Sequence, residues 1–259
     1  MKTPSAETKP IKTPIAYVIA SLALFFSSGL TTYATTTLSL GHVDAFEVHY
    51  SNDEGFNLEV HIEEGNQHLK PGNIIFQVNQ AAYGDLGYAQ QDLGWSNASA
   101  WVLPAFADET EDINGDDIML FLGVAGENES TRVWNPNKFK ISMLSAGIYN
   151  PGDFALYRYS SGRVFSNPIN TVGGLNSTDF IEISPGSHEH WNWAFSAAGT
   201  YTFEFQASGT HDVGGVLTPA LTKIETYTFN VIPEPTCGTL LLIGLAGLMA
   251  ARKRVVLKE

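Results

Sequence analysis

Apolar and polar residues alternate in short runs along the middle of the chain, and glycine, proline, asparagine and aspartate separate the runs. The clearest alternation is Phe56–Glu63, where every second side chain is apolar from Phe56 to Ile62 and the side chains between them are polar. A period of two residues is typical of a β-strand with one buried and one solvated face. The pattern therefore predicts a half-buried strand.

A second alternating run, Asp44–Tyr50, precedes this strand, and a turn-forming segment lies between the two runs. Neighbouring strands joined by a short turn pair as an antiparallel hairpin. The predicted register places Tyr50 opposite Phe56 and Glu47 opposite Glu59.

Eight further runs have the length and composition of strands. They are Asn73–Asn79, Ile118–Gly123, Phe139–Leu144, Phe154–Tyr159, Phe180–Ile183, Trp191–Phe195, Tyr201–Ala207 and Ile224–Ile232. About ten short strands joined by turns predict an all-β fold, specifically an antiparallel β-sandwich. We expect it to form a single domain over residues 35–231.

Residues 1–34 have the layout of an export signal. Three lysines within the first twelve residues precede the uncharged, largely apolar stretch Pro14–Leu30, and small residues stand at the first and third positions before a cut after Ala34. This layout resembles a secretory signal peptide, which is removed from the mature protein. Because the apolar stretch is long for a signal, an uncleaved N-terminal anchor is the alternative.

Residues 232–259 form a second apolar segment with distinct flanks. It contains, in order, the motif Pro233, Glu234 and Pro235, the uncharged stretch Cys237–Ala251, and the basic cluster Arg252, Lys253 and Arg254. About 15 residues at about 1.5 Å each make a short transmembrane helix, and the basic cluster would stop transfer and keep its end on the cytoplasmic side.

This C-terminal arrangement resembles the PEP-CTERM sorting signal of Gram-negative, often biofilm-forming bacteria. The resemblance implies that an exosortase recognises the Pro-Glu-Pro motif and removes the tail after export. The segment would then associate with the membrane only transiently, and the protein would reach the cell surface or extracellular matrix. A permanent C-terminal membrane anchor is the alternative.

Once both ends are set aside, the remaining body is strongly acidic. Residues 35–231 carry seven Lys or Arg against 24 Asp or Glu, a formal charge of −17, whereas the whole chain carries −13. Such a surface repels phosphate backbones, so we expect no nucleic-acid partner. The single cysteine, Cys237, lies in the C-terminal tail, which excludes a disulfide within the chain.

Five segments of the body together resemble the choice-of-anchor M domain, a module of bacterial surface proteins, over about residues 40–208. They are Gly41–Asp44, Trp101–Pro104, Pro151–Tyr157, Gly186–Phe195 and Gly199–Tyr201. The resemblance implies a binding or capture role at the cell surface. Envelope polysaccharide and metal-transport components are the partners that it suggests.

Histidines supply the main candidate chemistry of the body. His188 and His190 stand two apart on an extended run, so both side chains should project from one face of a strand, with Asn192 continuing the row. Two such imidazoles can bind one metal ion with a third ligand, for which His42 is the candidate. The predicted cofactor is a divalent metal, Zn²⁺ or Mn²⁺. The alternative is a structural role beside the neighbouring tryptophans.

Two acidic groups offer weaker cation sites. Glu47 and Glu59 face each other across the predicted hairpin, and like charges so placed are unfavourable unless they are exposed or bridged by a cation. Solvent exposure is the simpler explanation. Asp108–Asp117 holds six carboxylates in ten residues, but its glycine is misplaced for an EF-hand, so a solvated loop is expected.

Catalytic motifs are absent from the sequence: it has no Gly-x-Ser-x-Gly elbow, no His-Glu-x-x-His and no phosphate-binding loop. We therefore predict an exported surface or matrix protein with a binding or structural role, and not an enzyme. Paired carboxylates of a glycosidase leave no sequence motif. A secreted carbohydrate-active enzyme that acts on matrix polysaccharide is accordingly the alternative.

Overall fold

The computed structural model describes residues 35–51, 55–130 and 133–233, which are mostly β-strand. One short α-helix, α1 (Ala89–Leu93), and three single turns of 3-10 helix, at Pro71–Asn73, Gln80–Ala82 and Ala107–Glu109, interrupt the strands. The strands are β1 (Thr36–Leu38), β2 (Gly41–Ser51), β3 (Gly55–Ile62), β4 (Gln67–Leu69), β5 (Ile74–Val78), β6 (Tyr83–Asp85), β7 (Ser99–Leu103), β8 (Leu120–Ala125), β9 (Phe139–Ala146), β10 (Phe154–Ser160), β11 (Arg163–Asn170), β12 (Phe180–Ile183), β13 (His188–His190), β14 (Asn192–Phe195), β15 (Gly199–Val213), β16 (Val216–Leu221) and β17 (Glu225–Val231).

The strands form three sheets. The largest has the order β1-β5-β17-β15-β9-β12, with β16 also paired to β15. The second sheet has the order β11-β10-β14-β7-β6, and the third has the order β13-β8-β2-β3-β4. Only the third sheet contains the predicted hairpin, β2 and β3.

The strands predicted from alternation are all present in the structure, and the hairpin register is confirmed at both predicted pairs. Tyr50 pairs with Phe56, and Glu47 pairs with Glu59. The predicted strand Trp191–Phe195 needs a correction, because the extended run that begins at His188 is divided between β13 and β14, which belong to different sheets.

The expectation of a purely antiparallel fold is wrong at three pairings. β1 and β17 both pair parallel with β5, and β2 pairs parallel with β8. Alternation reveals which face of a strand is buried, but it carries no information about strand direction. Whether a sheet is mixed or antiparallel therefore depends on the direction in which distant segments of the chain pair with it.

Aromatic side chains from all three sheets meet in one core. The ring of Phe46 on β2 lies 5.1 Å from that of Trp193 on β14, measured between centroids. It lies 4.6 Å from Phe205 on β15 and 4.9 Å from Tyr227 on β17. Phe46, Trp193 and Phe205 have no exposed surface. One continuous core therefore supports the sheet that carries the histidines.

The strand β2 contains a β-bulge at Ala45. Its register with both neighbouring strands shifts after Asp44, which leaves Ala45 as an extra residue. Phe46 points into the core, whereas Asp44 and Glu47 both contact His61 on the opposite face of the sheet. A bulge changes the face that the following side chains occupy. It brings together on one face polar residues that strict alternation would separate.

The described part of the chain contains no helix long and apolar enough to span a membrane. The predicted signal peptide, residues 1–34, lies outside the described residues, as do Glu234, Pro235 and the basic cluster Arg252–Arg254. Of the predicted sorting motif the structure describes only Pro233, which follows β17 directly.

Candidate metal-binding site

Six of the seven histidines in the chain lie on β2, β3, β4 and β13 of the third sheet. Their side chains occupy the sheet face opposite the aromatic core, and we call this surface the histidine face. It comprises His42, His49, His61, His68, His188 and His190. Buried carboxylates lie among these imidazoles, so the face combines nitrogen and oxygen ligands.

Asp44 lies at one end of the histidine face, among the imidazoles of His42, His61 and His188. Its side chain is fully buried, and its Oδ1 atom lies 2.9 Å from His188 Nε2 and 3.7 Å from His42 Nε2. The other carboxylate oxygen, Oδ2, lies 3.3 Å from His61 Nδ1. One oxygen of Asp44 is thus held by His61, and the other is directed at the imidazoles of β2 and β13.

Each of the three predicted histidine ligands has its Nδ1 atom beside an oxygen. His42 Nδ1 lies 2.9 Å from a Glu63 carboxylate oxygen, and His188 Nδ1 lies 2.5 Å from Glu127 Oε1. His190 Nδ1 lies 3.0 Å from the backbone carbonyl oxygen of Leu122. An imidazole that donates from Nδ1 keeps the lone pair of Nε2 free, which is the usual arrangement around metal-bound histidine.

Three polar atoms at the centre of this group lack a hydrogen bond. They are His42 Nε2, His188 Nε2 and Asp44 Oδ1, and all three are buried. The 2.9 Å contact between His188 Nε2 and Asp44 Oδ1 is short, but it does not have the alignment that a hydrogen bond requires. Buried polar atoms are rarely left unpaired in folded proteins, so the convergence of these three marks the position as a candidate site for a bound ion.

Gly123 keeps the space between these atoms open. It lies on β8, where it pairs with Asp44 on one side and His190 on the other. A Cβ atom at this position would lie 2.0 Å from Asp44 Oδ1 and 2.6 Å from His188 Nε2. Any other residue would therefore fill the position where an ion could contact both groups.

The ionisation of the two β13 histidines differs because their surroundings differ. Burial lowers the pKa of His190 to about 4, so its imidazole is neutral at physiological pH and can ligate a metal. The contact with Asp44 raises the pKa of His188 to about 9 against the opposing effect of burial. Burial alone would raise the pKa of Asp44. The neighbouring His188 stabilises its carboxylate form, and the pKa of Asp44 is lowered as a result. Without metal, His188 and Asp44 form an ion pair.

Two overlapping groups of three side chains have ligand atoms close enough to share one metal ion. One ring nitrogen from each of His42, His188 and His190 lies within 4.8 Å of the others, and oxygens of Asp44 and Glu63 lie within the same distance of His188. In a tetrahedral site with bonds of about 2.0–2.1 Å, ligand atoms stand about 3.3 Å apart. Imidazole nitrogens with one carboxylate suit Zn²⁺, and Mn²⁺ accepts the same mixture.

The structure thus brings together the three histidines predicted from the sequence, whose ring centroids lie 4.7 to 5.0 Å apart. It does not place Asn192 in their row. Asn192 lies on β14, where its side chain accepts a hydrogen bond from the Ala105 backbone N–H and donates one to the Tyr157 carbonyl.

Sequence reasoning missed Asp44, Glu63, Glu127 and Gly123. Asp44 stands two residues after His42 in the same short motif, but strict alternation with Phe46 assigns it to the buried face. The other three come from β8, the end of β3 and a turn, and only the folded sheet brings them close.

The acidic segment 108–117 is mostly exposed, as expected of a solvated loop. Asp112 uses its carboxylate to accept hydrogen bonds from the backbone N–H groups of Asn114 and Asp116. Among residues 35–51, 55–130 and 133–233, the groups of side chains close enough to share an ion come from the histidine face and from no residue of this segment.

The expected solvent exposure of the acidic pair on the hairpin is wrong. Glu47 is 1% exposed and Glu59 is 7% exposed, although the two residues pair directly across β2 and β3. The outer face of this hairpin is covered by neighbouring imidazoles, and alternation alone could not show that cover.

A separate groove of about 330 Å³ lies beside the second sheet. Aromatic and acidic side chains line it, among them Tyr83, Asp85, Glu109, Tyr157 and Tyr159. Burial raises the pKa of Glu109. A carbohydrate-active enzyme would need tyrosines and carboxylates of this kind in its binding groove. The groove shares no lining residue with the histidine face.

Comparison of the chain with models of protein families, with curated proteins and with solved structures gave no match.

Proposed function

We propose that this chain is an exported protein with a binding or structural role at the bacterial cell surface or in the extracellular matrix. Its body is a β-sandwich that binds a divalent transition metal ion, Zn²⁺ or Mn²⁺, on the histidine face. The carrying observation is the convergence of ligand atoms of His42, Asp44 and His188, all buried and without a hydrogen bond, around the space left by Gly123.

Each residue has a distinct part in this proposal. His42, His188 and His190 supply nitrogen ligands, and Asp44 supplies an oxygen ligand and negative charge. Glu63, Glu127 and the Leu122 carbonyl orient the three rings through Nδ1. The side chains of His42 and His188 are 25% and 19% exposed, so an ion can enter from solvent. Binding displaces the proton of His188.

The export proposal is supported by the two ends of the sequence. The body ends in β17 and Ile232, whose backbone N–H donates to Val78 and whose carbonyl accepts from the Trp101 indole N–H. Pro233 follows immediately, so a tail cut at the Pro-Glu-Pro motif would leave the folded body intact. Exosortase and the export machinery are the proposed partners, and envelope polysaccharide or metal-transport components are proposed contacts of the displayed domain.

Metal analysis of the full chain tests the metal proposal. We expect protein dialysed against EDTA and then supplied with Zn²⁺ to retain the ion through gel filtration. Zinc at a hundred times its dissociation constant should raise the free energy of unfolding by about 2.7 kcal/mol, because only the folded state binds. His188→Ala should abolish the gain that depends on this site. His49→Ala removes a histidine of the same face that touches none of the proposed ligands, and it is the matched control.

The proposal fails if His188→Ala and wild type retain the same amount of zinc and show equal zinc-dependent stabilisation. Circular dichroism of both metal-free variants establishes that each is folded before the comparison is made.

A further inference from the structure

The groove beside the second sheet lies on a sheet face that α1 covers only in part. Ala155 of β10 and Ala194 of β14 pack with Leu93 of α1 in a small second core. Two residues farther along the same strands, Tyr157 and Asn192 pair with each other and line the groove. Within the described residues, the groove is therefore the part of this face that α1 leaves uncovered.

Three tyrosines give the groove its aromatic surface. Tyr83 is 42% exposed and Tyr159 is 39% exposed, whereas Tyr157 is 5% exposed. The ring of Tyr83 packs against that of Trp101 with 4.5 Å between centroids, and the Trp101 indole N–H donates to the Ile232 carbonyl. A ring held in this way presents a fixed apolar face with a polar hydroxyl at its edge, against which the C–H face of a pyranose can pack.

The groove is negatively charged and uncompensated. In the described part of the chain, Asp85 and Glu109 are the only charged residues that line it. Partial burial and the neighbouring charge of Asp108 raise the pKa of Glu109, as expected of a carboxylate with no cation beside it. Both lining carboxylates belong to exposed residues, so a ligand can reach them from solvent. The groove therefore attracts a ligand that carries positive charge.

The hydroxyl of Tyr157 adds a neutral polar group. Burial raises its pKa above the ordinary tyrosine value of about 10, and charges at Tyr159 and Glu109 act in the same direction. The hydroxyl therefore stays protonated at physiological pH, where it can both donate and accept a hydrogen bond. A carboxylate, a neutral hydroxyl and an exposed ring thus lie within electrostatic reach of one another.

We propose that this groove binds a polysaccharide that contains unacetylated amino sugars. A pyranose ring packs on Tyr83 or Tyr159, and the Tyr157 hydroxyl hydrogen-bonds a sugar hydroxyl. The ammonium group of the sugar pairs with Glu109 or Asp85, which would repel a uronate polymer. The inference rests on the polysaccharide contact in the proposed function and makes it specific. It does not depend on the metal site, with which the groove shares no residue.

Calorimetric titration of the full chain with a linear tetramer of glucosamine tests the inference. EDTA is present throughout, so the histidine face holds no metal. We expect the glucosamine tetramer to bind, and the fully N-acetylated tetramer to bind about fivefold more weakly, because it lacks the ion pair. A tetramer of galacturonate should not bind.

Variants of single residues locate the binding. Tyr83→Ala removes a ring without changing the charge and should weaken binding of the glucosamine tetramer about fivefold. Glu109→Gln should weaken it by about the same factor. Tyr149→Ala and Glu64→Gln make the same kinds of change at exposed positions outside the groove, and both should bind like wild type.

A tetramer of lysine separates a sugar site from general attraction of polycations to an acidic body. It has no pyranose ring, so it should bind more weakly than the glucosamine tetramer. Lysine tetramer binding as tight as that of glucosamine, or N-acetylated tetramer binding as tight, overturns the assignment of an amino sugar. If Tyr83→Ala does not fold by circular dichroism, Tyr159→Ala replaces it with the same expectation.

The result also distinguishes this inference from the metal proposal. Wild-type affinity in both groove variants, or no saccharide binding by a chain that retains zinc, overturns the groove and leaves the metal site standing. Saccharide binding by a chain that retains no zinc supports the groove and contradicts the metal site.

Discussion

The chemistry of a histidine on a strand depends on what occupies each of its ring nitrogens. On the histidine face, His42, His188 and His190 each have an oxygen beside Nδ1, so the second nitrogen of each is the one available for binding. Gly123 has no side chain, so the space beside Asp44 Oδ1 and His188 Nε2 stays open for an ion. At the scale of single residues, a missing methyl group is as important as the ligands.

Gly123→Ala should therefore weaken zinc binding at the proposed site of His42, His188 and His190 while every ligand stays in the sequence. The new Cβ would lie 2.0 Å from Asp44 Oδ1, so the carboxylate must move away from the position proposed for the ion. We expect zinc affinity there to fall by at least about tenfold, the lower end for changes that misplace ligands. Gly84→Ala, whose Cβ would have no neighbour within 4 Å, is the control. Calorimetric titration measures both, and equal affinities would contradict the role given to Gly123.

The spacing was sufficient to predict that His188 and His190 share a face, and the family resemblance supplied His42, but neither pointed to Asp44. A strict period of two residues holds from His188 to His190, so their common face follows from spacing alone. The same rule places Asp44 on the buried face with Phe46, because it has no means of detecting the bulge at Ala45. The bulge is a property of the pairing of β2 with both neighbours, and pairing partners are not written in a local pattern.

At the scale of elements, long alternating runs were predictable and short or irregular strands were not. β1, β4 and β6 have only three residues each, which is too few for a period to be read. β11 and β16 each contain a proline, β11 is mostly half-buried and β16 is mostly exposed, so neither shows the apolar repeat. These strands exist because a longer neighbour offers them hydrogen bonds, a tertiary effect that sequence periodicity does not record.

One contact between elements makes stability depend on pH. Asp92 of α1 accepts hydrogen bonds from Arg163 Nε at 2.8 Å and from the Val164 backbone N–H at 3.0 Å, both on β11. The hydrogen bond from Arg163 is the largest cause that lowers the pKa of Asp92, and the backbone bond adds to it. The ionised carboxylate therefore fastens the only described α-helix to the edge strand of the second sheet.

The stability that Asp92 contributes should be present above the ordinary aspartate pKa of about 3.9 and lost as the pH falls through its lower pKa in the folded state. Asp92→Asn should accordingly lose less stability than wild type below about pH 4, because it has no carboxylate to protonate. Urea unfolding across a pH series measures this difference. Arg163→Met, which keeps the carboxylate but removes its main partner, should fall between the two, and parallel curves for wild type and Asp92→Asn would refute the assignment.

At the scale of the whole molecule, charge is separated along the chain. The body from 35 to 231 carries −17, and cationic residues concentrate at the two ends. A strongly acidic surface attracts cations to its vicinity, which favours occupancy of the buried carboxylates on the histidine face. The body and its ends therefore have separate tasks in our proposal: the ends direct the protein and the body binds.

Mass spectrometry of the mature protein tests this division. In an exosortase-containing bacterium, the extracellular form should lack residues 1–34 and the basic cluster Arg252–Arg254, because we propose that both ends are removed during export. Glu234→Ala, which alters the sorting motif and leaves the body unchanged, should retain the C-terminal tail. Wild-type protein at the cell surface with the tail still attached would favour a permanent membrane anchor instead.

The position of β17 also governs the order in which the molecule can be assembled. This strand is the last one described, yet it lies inside the largest sheet, hydrogen-bonded to β15 on one side and to β5, about 150 residues earlier, on the other. Every residue up to β17 therefore has to be synthesised before that sheet can close. Pairings between such distant segments form slowly, and under the export that we propose this delay would keep the chain unfolded enough to pass through a translocation pore.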